Sequence, residues 1–184
     1  MARKNGRMRS DARANRDRVL AAAEEVFGES GNAGSTEEVA RRAGVGIGTV
    51  FRHFPTKQAL VEATVVRHLT LLTGTALARA EATDAGAAFR AMFREMVFSA
   101  PAKIALLALL EEPAGEAVAA AAALREAVAD LLSRGQQAGE VRVDATVAEV
   151  YVLITALANV RGDRAVLDRA VGVVLDGLSP RSSA

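Results

Sequence analysis

The stretch from Ser35 to Leu60, STEEVARRAGVGIGTVFRHFPTKQAL, limits the fold more than any other part of this 184-residue chain. Val39, Ala40 and Ala43 recur at helical spacing, Gly44 follows, and Val45 and Val50 resume the apolar seam after it. A small residue at Ala40 lets two helices approach closely, and Val50 plugs the second helix onto the first. Glycine at 44 permits the positive φ that turns the corner, which a β-branched side chain resists. Ser35 three residues before Glu38 is the sequence mark of a capping box at a helix start. Pro55 ends the second helix because it lacks a donor and crowds the preceding turn, and Thr56 caps the helix after it. The pattern is a helix-turn-helix, whose geometry offers its second helix to a DNA major groove.

Around this element the sequence predicts an all-α chain of about nine helices, with no strand alternation and no internal repeat. The expected helices cover about 15–29, 36–43, 46–53, 57–82, 84–99, 101–111, 113–137, 145–161 and 163–178. Pro101 and Pro113 are read as opening the sixth and seventh, and the alanine run from Ala117 to Ala123 as a closely packed helix. Residues 1–14 read as a flexible basic arm, 15–60 as the helix-turn-helix domain and 61–180 as a second helical domain. Hydrophobic residues make up 51% of the chain, enough for a packed core rather than disorder.

Charge is unevenly spread. Residues 1–60 carry 11 Lys/Arg against 7 Asp/Glu, and residues 61–184 carry 12 against 15, so basic charge gathers beside the helix-turn-helix. The basic N-terminus has no apolar core of a secretory signal, and there is no apolar run long enough to span a bilayer. Zero cysteines exclude disulfides and thiolate metal sites and fit a reducing cytoplasm. Motifs of the types GxxxxGK[ST], GxSxG and HExxH do not occur, so neither an enzyme nor a cofactor or metal site is expected.

The run from Arg16 to Leu60 resembles the DNA-binding domain of TetR-family transcriptional regulators. The matching residues are Ala23 and Phe27, then Ala40, Ala43, Gly44 and Val45 at the turn, then Gly48-Thr49-Val50-Phe51, His53-Phe54 and Lys57. The resemblance implies a bacterial, cytoplasmic, nucleoid-associated homodimer that binds a palindromic double-stranded operator, with the helix from about Gly46 to His53 in the major groove. Repression relieved by a small-molecule effector is the expected mode; an activator, or a regulator that needs no ligand, stays open as the alternative.

The expected DNA contacts are Ser35, Thr36, Ile47, Gly48, Thr49, Phe51, Arg52, His53 and Lys57. Thr49 can bond a base edge or phosphate, Arg52 a guanine or phosphate, and Ser35, Thr36 and Lys57 sit at helix starts suited to phosphate oxygens. Three positions depart from the family pattern. Gly46 stands where a serine cap is common, Ile47 where a polar or basic residue is frequent, and Phe51 where tyrosine is usual. Ile47 favours apolar contact with thymine over charge.

Beyond residue 60 two further roles are legible. Val147, Val150, Tyr151, Val152, Leu153, Ile154, Leu157 and Val160 make one helix apolar almost all round, and the last helix is broadly apolar too. Two wide apolar faces imply burial on a second side, hence a two-fold dimer through the last two helices. Thr64, His68, Leu72, Phe89, Met92, Phe93, Met96 and Leu107 are the expected small-molecule contacts, a flexible and aromatic set interrupted by two polar groups. The same set is also what an ordinary core looks like.

Overall fold

An apolar stripe at Val19, Leu20, Ala23, Val26 and Phe27 buries one face of the first helix, α1 (Ala2–Ser30). The chain is described by a computed structural model covering residues 2–110, 112, 115–160 and 162–180, with side chains from residue 12 onward. Its helical backbone begins at Ala2, so the flexible arm expected over residues 1–14 is helix from Ala2 on. Arginine, lysine, alanine and methionine dominate that stretch, and such residues propagate a helix already held in place by its packed end.

Gly31, at φ 52°, opens a 3-10 turn (Gly31–Ala33). Gly34 is fixed by crowding: a Cβ there would lie 2.8 Å from Phe27 Cδ1 and 3.0 Å from Val26 Cγ1. The helix-turn-helix follows as α2 (Thr36–Ala43) and α3 (Ile47–His53), and α4 runs from Lys57 to Ala80. Next come α5 (Ala85–Leu107), α6 (Gly115–Gln137), α7 (Val147–Ala158) and α8 (Arg164–Gly177). Eight α-helices and no strand are present among the described residues, where about nine helices were expected.

The difference lies at Pro101, which sits inside α5 rather than opening a new helix. An internal proline costs about 3 kcal/mol. Met96, Val97 and Ala100 before it and Leu106 after it are all buried, and burying two or three such side chains is a comparable gain. The expected helix start at Pro113 lies outside the described residues. The alanine run is helical, yet Ala119, Ala121, Ala122 and Ala123 are exposed, so it is not the packed segment the sequence suggested.

The chain divides into two compact units that do not follow its order. The first comprises residues 1–68 and 102–118, the second 69–101 and 119–184. In the first unit Val39, Ala40, Val50, Phe54, Leu60, Val61 and Val65 join the buried stripe of α1. Gln58 Nε2 donates to the Leu109 carbonyl at 3.1 Å, tying α4 to the returning segment. In the second unit Gln136 Nε2 donates to the carbonyls of Arg142 (3.0 Å) and Ala145 (2.8 Å), which pins the turn before α7. Arg79 pairs with Glu95 at 2.6 Å, Arg90 bonds Ser179 at 2.8 Å, and Arg94 pairs with Asp168. No helix among the described residues is long and apolar enough to cross a membrane.

Candidate nucleic-acid interface

The corner between α2 and α3 is built as the residues require. Ser35 Oγ accepts from the Glu38 N–H at 3.1 Å, but the Glu38 carboxylate binds Arg41 (2.6 Å) and Arg42 (3.5 Å) instead of closing the box. Gly44 is left-handed at φ 66°, and the Val45 N–H reaches back to the Ala40 carbonyl at 3.0 Å. Gly46 caps α3 with no side-chain bond, so only its carbonyl, accepting from the Thr49 N–H at 2.8 Å, holds that end.

Val50 and the following Phe54 are buried, which fixes the rotation of α3. At 100° per residue, the opposite side then carries Gly48 and Arg52, with Ile47 and Phe51 on one flank and Thr49 and His53 on the other. Accessibility follows that wheel. Ile47 is 38% exposed and Phe51 43%, Gly48 and Arg52 are exposed, and Thr49 and His53 are half-buried. Arg52 has no ion pair or hydrogen bond among the described residues. His53 tilts against Phe54 at 6.1 Å between ring centroids.

The helix-start residues are more committed than sequence reasoning indicated. Thr36 is nearly buried, which leaves the backbone N–H groups of α2 as its main offer to a phosphate. Lys57 Nζ donates to the Asn32 carbonyl at 2.9 Å and lies 5.5 Å from the Phe27 ring centre, so it anchors the 3-10 turn. Arg42 is held among Glu25, Glu29 and Glu38, at 3.0 Å from Glu29.

A cluster that no local pattern announces joins α1 to α4. Glu24 of α1 accepts from Arg67 at 2.9 Å and bonds His68 Nδ1 at 2.6 Å, both on α4. The His68 bond, followed by the nearby Arg67, holds the Glu24 carboxyl below the usual range despite partial burial. His68 is buried, and its Nε2 has no partner among the described residues. Arg16 stacks over Phe54 at 5.4 Å, another link between α1 and the end of α3. A signal for these contacts would have required knowing which turns of α1 meet α4 and which meet the end of α3.

The expected ligand contacts are not brought into one unit. Thr64, His68 and Leu107 belong to the first, and Leu72, Phe89, Met92, Phe93 and Met96 to the second. Thr64 is fully buried and donates to the Leu60 carbonyl at 2.7 Å, while Leu107 is exposed. Phe89 and Phe93 pack at 6.4 Å, and all five of the second set are buried. A cleft of about 540 Å³ lies elsewhere in the second unit, lined by Arg142, Glu149, Val152, Leu153, Val174 and Leu178 among others. The Tyr151 hydroxyl, also in that unit, is buried without a partner among the described residues, and burial raises its pKa.

A three-helix head that exposes one face of a short, firmly seated helix, in a chain with a second helical unit, has the plan of a helix-turn-helix DNA-binding regulator. The family model described as bacterial regulatory proteins, tetR family, matches residues 19–64. A second, described as the transcriptional regulator SbtR-like C-terminal domain, matches residues 84–180. A TetR transcription regulatory protein from Mycobacterium vanbaalenii is 37% identical, with TM-score 0.78 over 94% of this chain and 99% of that one. The TetR transcriptional regulator SCO0520 from Streptomyces coelicolor is 32% identical, with TM-score 0.78 over 91% and 99%. A TetR-family regulator from Agrobacterium tumefaciens shares the fold at TM-score 0.70 and 19% identity, over 91% and 99%. No curated protein matches the chain. The chain belongs to the TetR family of DNA-binding transcriptional regulators.

Proposed function

We propose that this regulator is a homodimeric repressor that binds a palindromic operator through α3 of each copy and is released by a small-molecule effector. One observation carries the reading: the same chain exposes a compact reading face on α3 and a broad valine face on its last two helices. Val152 is 68% exposed and Val173 72%, with Val160 and Val166 also exposed, while Val150, Ile154, Leu157, Val171 and Leu175 face the core. A second copy that covers the valine face doubles the reading head with two-fold symmetry. Half-sites then lie one helical turn, or a multiple of it, apart.

On the operator, Arg52 and Thr49 take base edges or phosphates, and Gly48 lets the backbone approach. Ser35, His53 and the start of α2 take phosphates. Lys57 and Thr36 act by holding the helix starts in place as much as by touching DNA. The effector's seat in this reading is the buried Leu72, Phe89, Met92, Phe93 and Met96 set, which shares its unit with the unpaired Tyr151 hydroxyl. Helix α4 passes from the first unit into the second, so a ligand that favours one arrangement of its ends shifts the population competent for DNA.

The test is binding of the full chain to its own upstream DNA, together with a promoter reporter in a strain lacking the gene. Derepression on deletion supports a repressor, and loss of expression overturns it in favour of an activator. Unchanged DNA binding by Thr49→Ala/Arg52→Ala would overturn the assignment of α3.

A further inference from the structure

We infer that α3 reads the 5-methyl group of a thymine in each half-site through Ile47 and Phe51. The inference rests on the proposal that α3 enters the major groove and adds what this helix recognises there. Phe27, Phe54, Phe89 and Phe93 are buried and Phe98 is half-buried, whereas Phe51 is exposed. Ile47 stands one turn before Phe51, so the two share a flank. Val50, fully buried, and Phe54 lock the rotation of α3, so this flank cannot turn inward to hide from water. Beside the pair, a Cβ added at Gly48 would meet nothing within 4 Å, so no side chain holds the flank away from a surface laid against it. Arg52 and Thr49 supply hydrogen-bonding groups on the remaining outward positions.

On the major-groove edge of unmodified DNA the apolar group is the thymine methyl; the same 5-methyl group occurs on 5-methylcytosine. An aliphatic and an aromatic side chain with no hydrogen-bonding atom match that group and match neither a base amide nor a phosphate. Thymine is the source, because it is present without a modifying enzyme.

The experiment selects binding sites for the full-length protein from a random DNA pool. In the selected operator each thymine is then replaced singly by deoxyuridine, and each cytosine singly by 5-methylcytosine. Removing the methyl that Ile47 and Phe51 cover is expected to weaken binding about fourfold, the value of burying one methylene-sized group. The loss is confined to one or two positions per half-site, and no 5-methylcytosine strengthens binding. The Ile47→Ala/Phe51→Ala variant is expected to bind the thymine and deoxyuridine operators alike. Should that variant misfold, the thymine-to-deoxyuridine ratio of the parent protein decides the matter alone. Selection of a defined sequence with no deoxyuridine effect at any position overturns the methyl reading and leaves α3 as a DNA reader. A gain at a 5-methylcytosine with no deoxyuridine loss overturns thymine as the source. Failure to enrich any sequence removes the premise that α3 reads DNA, and the inference with it.

Discussion

On α3 two apolar side chains, Ile47 and Phe51, are exposed within a ring of Gly48, Thr49 and Arg52; on α7 and α8 three valines, Val152, Val166 and Val173, are exposed, with Val160 on the link between the helices. The first surface is narrow and mixed, and each apolar group has a hydrogen-bonding neighbour within a turn. The second is wide and made of stiff branched side chains on helices whose opposite faces already fill a core. Base edges present alternating polar groups and methyls at close spacing, which suits the first. A wide valine face has no such partner in DNA and suits another protein surface. One chain therefore carries two unlike solutions to exposing apolar groups in water, and substitutions can separate them.

The largest effect is expected on the valine face. Val152→Asp with Val173→Asp should give a monomer by sedimentation velocity, with helical content retained by circular dichroism. Operator affinity should fall about a hundredfold or more, because the second reading head loses its effective concentration. A dimer that survives both charges would show that the partner lies on another surface, and the contrast between the two faces would collapse. On α3, Arg52→Ala should cost about tenfold in operator affinity with the oligomeric state unchanged. A loss confined to one base position marks base contact; a uniform loss with a shallower salt dependence marks phosphate contact.

What could be read from sequence alone divides along similar lines. The head was legible because its determinants are local: Gly44 is left-handed as the corner demands, Ser35 caps α2, and Val50 is the buried plug. Nonlocal contacts were not. Lys57 reads as a free cation at a helix start, but it holds the carbonyl of Asn32, 25 residues back. The Pro101 rule failed because burial on both sides outweighs the local penalty. Thr146 and Glu149 form the complete capping box of the chain's described helices, although Ser35 and Glu38 carry the same signature. The difference is competition: Arg41 and Arg42 draw the Glu38 carboxylate away.

The Glu24 cluster under the head gives the next, smaller effect. Glu24→Gln should lower stability by about 1–1.5 kcal/mol at pH 7, since Arg67 and His68 lose a charged acceptor. Because its pKa is depressed in the folded chain, Glu24 contributes fully above the ordinary glutamate value of about 4.3. That contribution declines once pH falls below the ordinary value and is lost as pH passes through the depressed one, so the gap in denaturant midpoint between parent and variant should narrow in acid and close only below the depressed value. A gap that persists in acid would show that the cluster stabilises by packing rather than charge.

The smallest effect discriminates most finely between the two surfaces. Gly48 in α3 and Gly172 in α8 are both helical glycines with room for a methyl: the first meets nothing within 4 Å, the second only Arg94 Nη2 at 3.8 Å. Alanine at either should raise stability by about 0.5–1 kcal/mol, by narrowing the unfolded ensemble and favouring the helix. Only Gly48→Ala should also weaken operator binding, by a few fold, because its methyl stands at the centre of the outward face of α3. Gly172→Ala adds its methyl toward α5 of its own unit and should leave both affinity and oligomeric state unchanged. Thermal melts and gel shifts on the two variants measure this directly. Equal affinities would mean that the backbone of α3 does not approach DNA closely at Gly48, and that Ile47 and Phe51 reach the groove only at their tips.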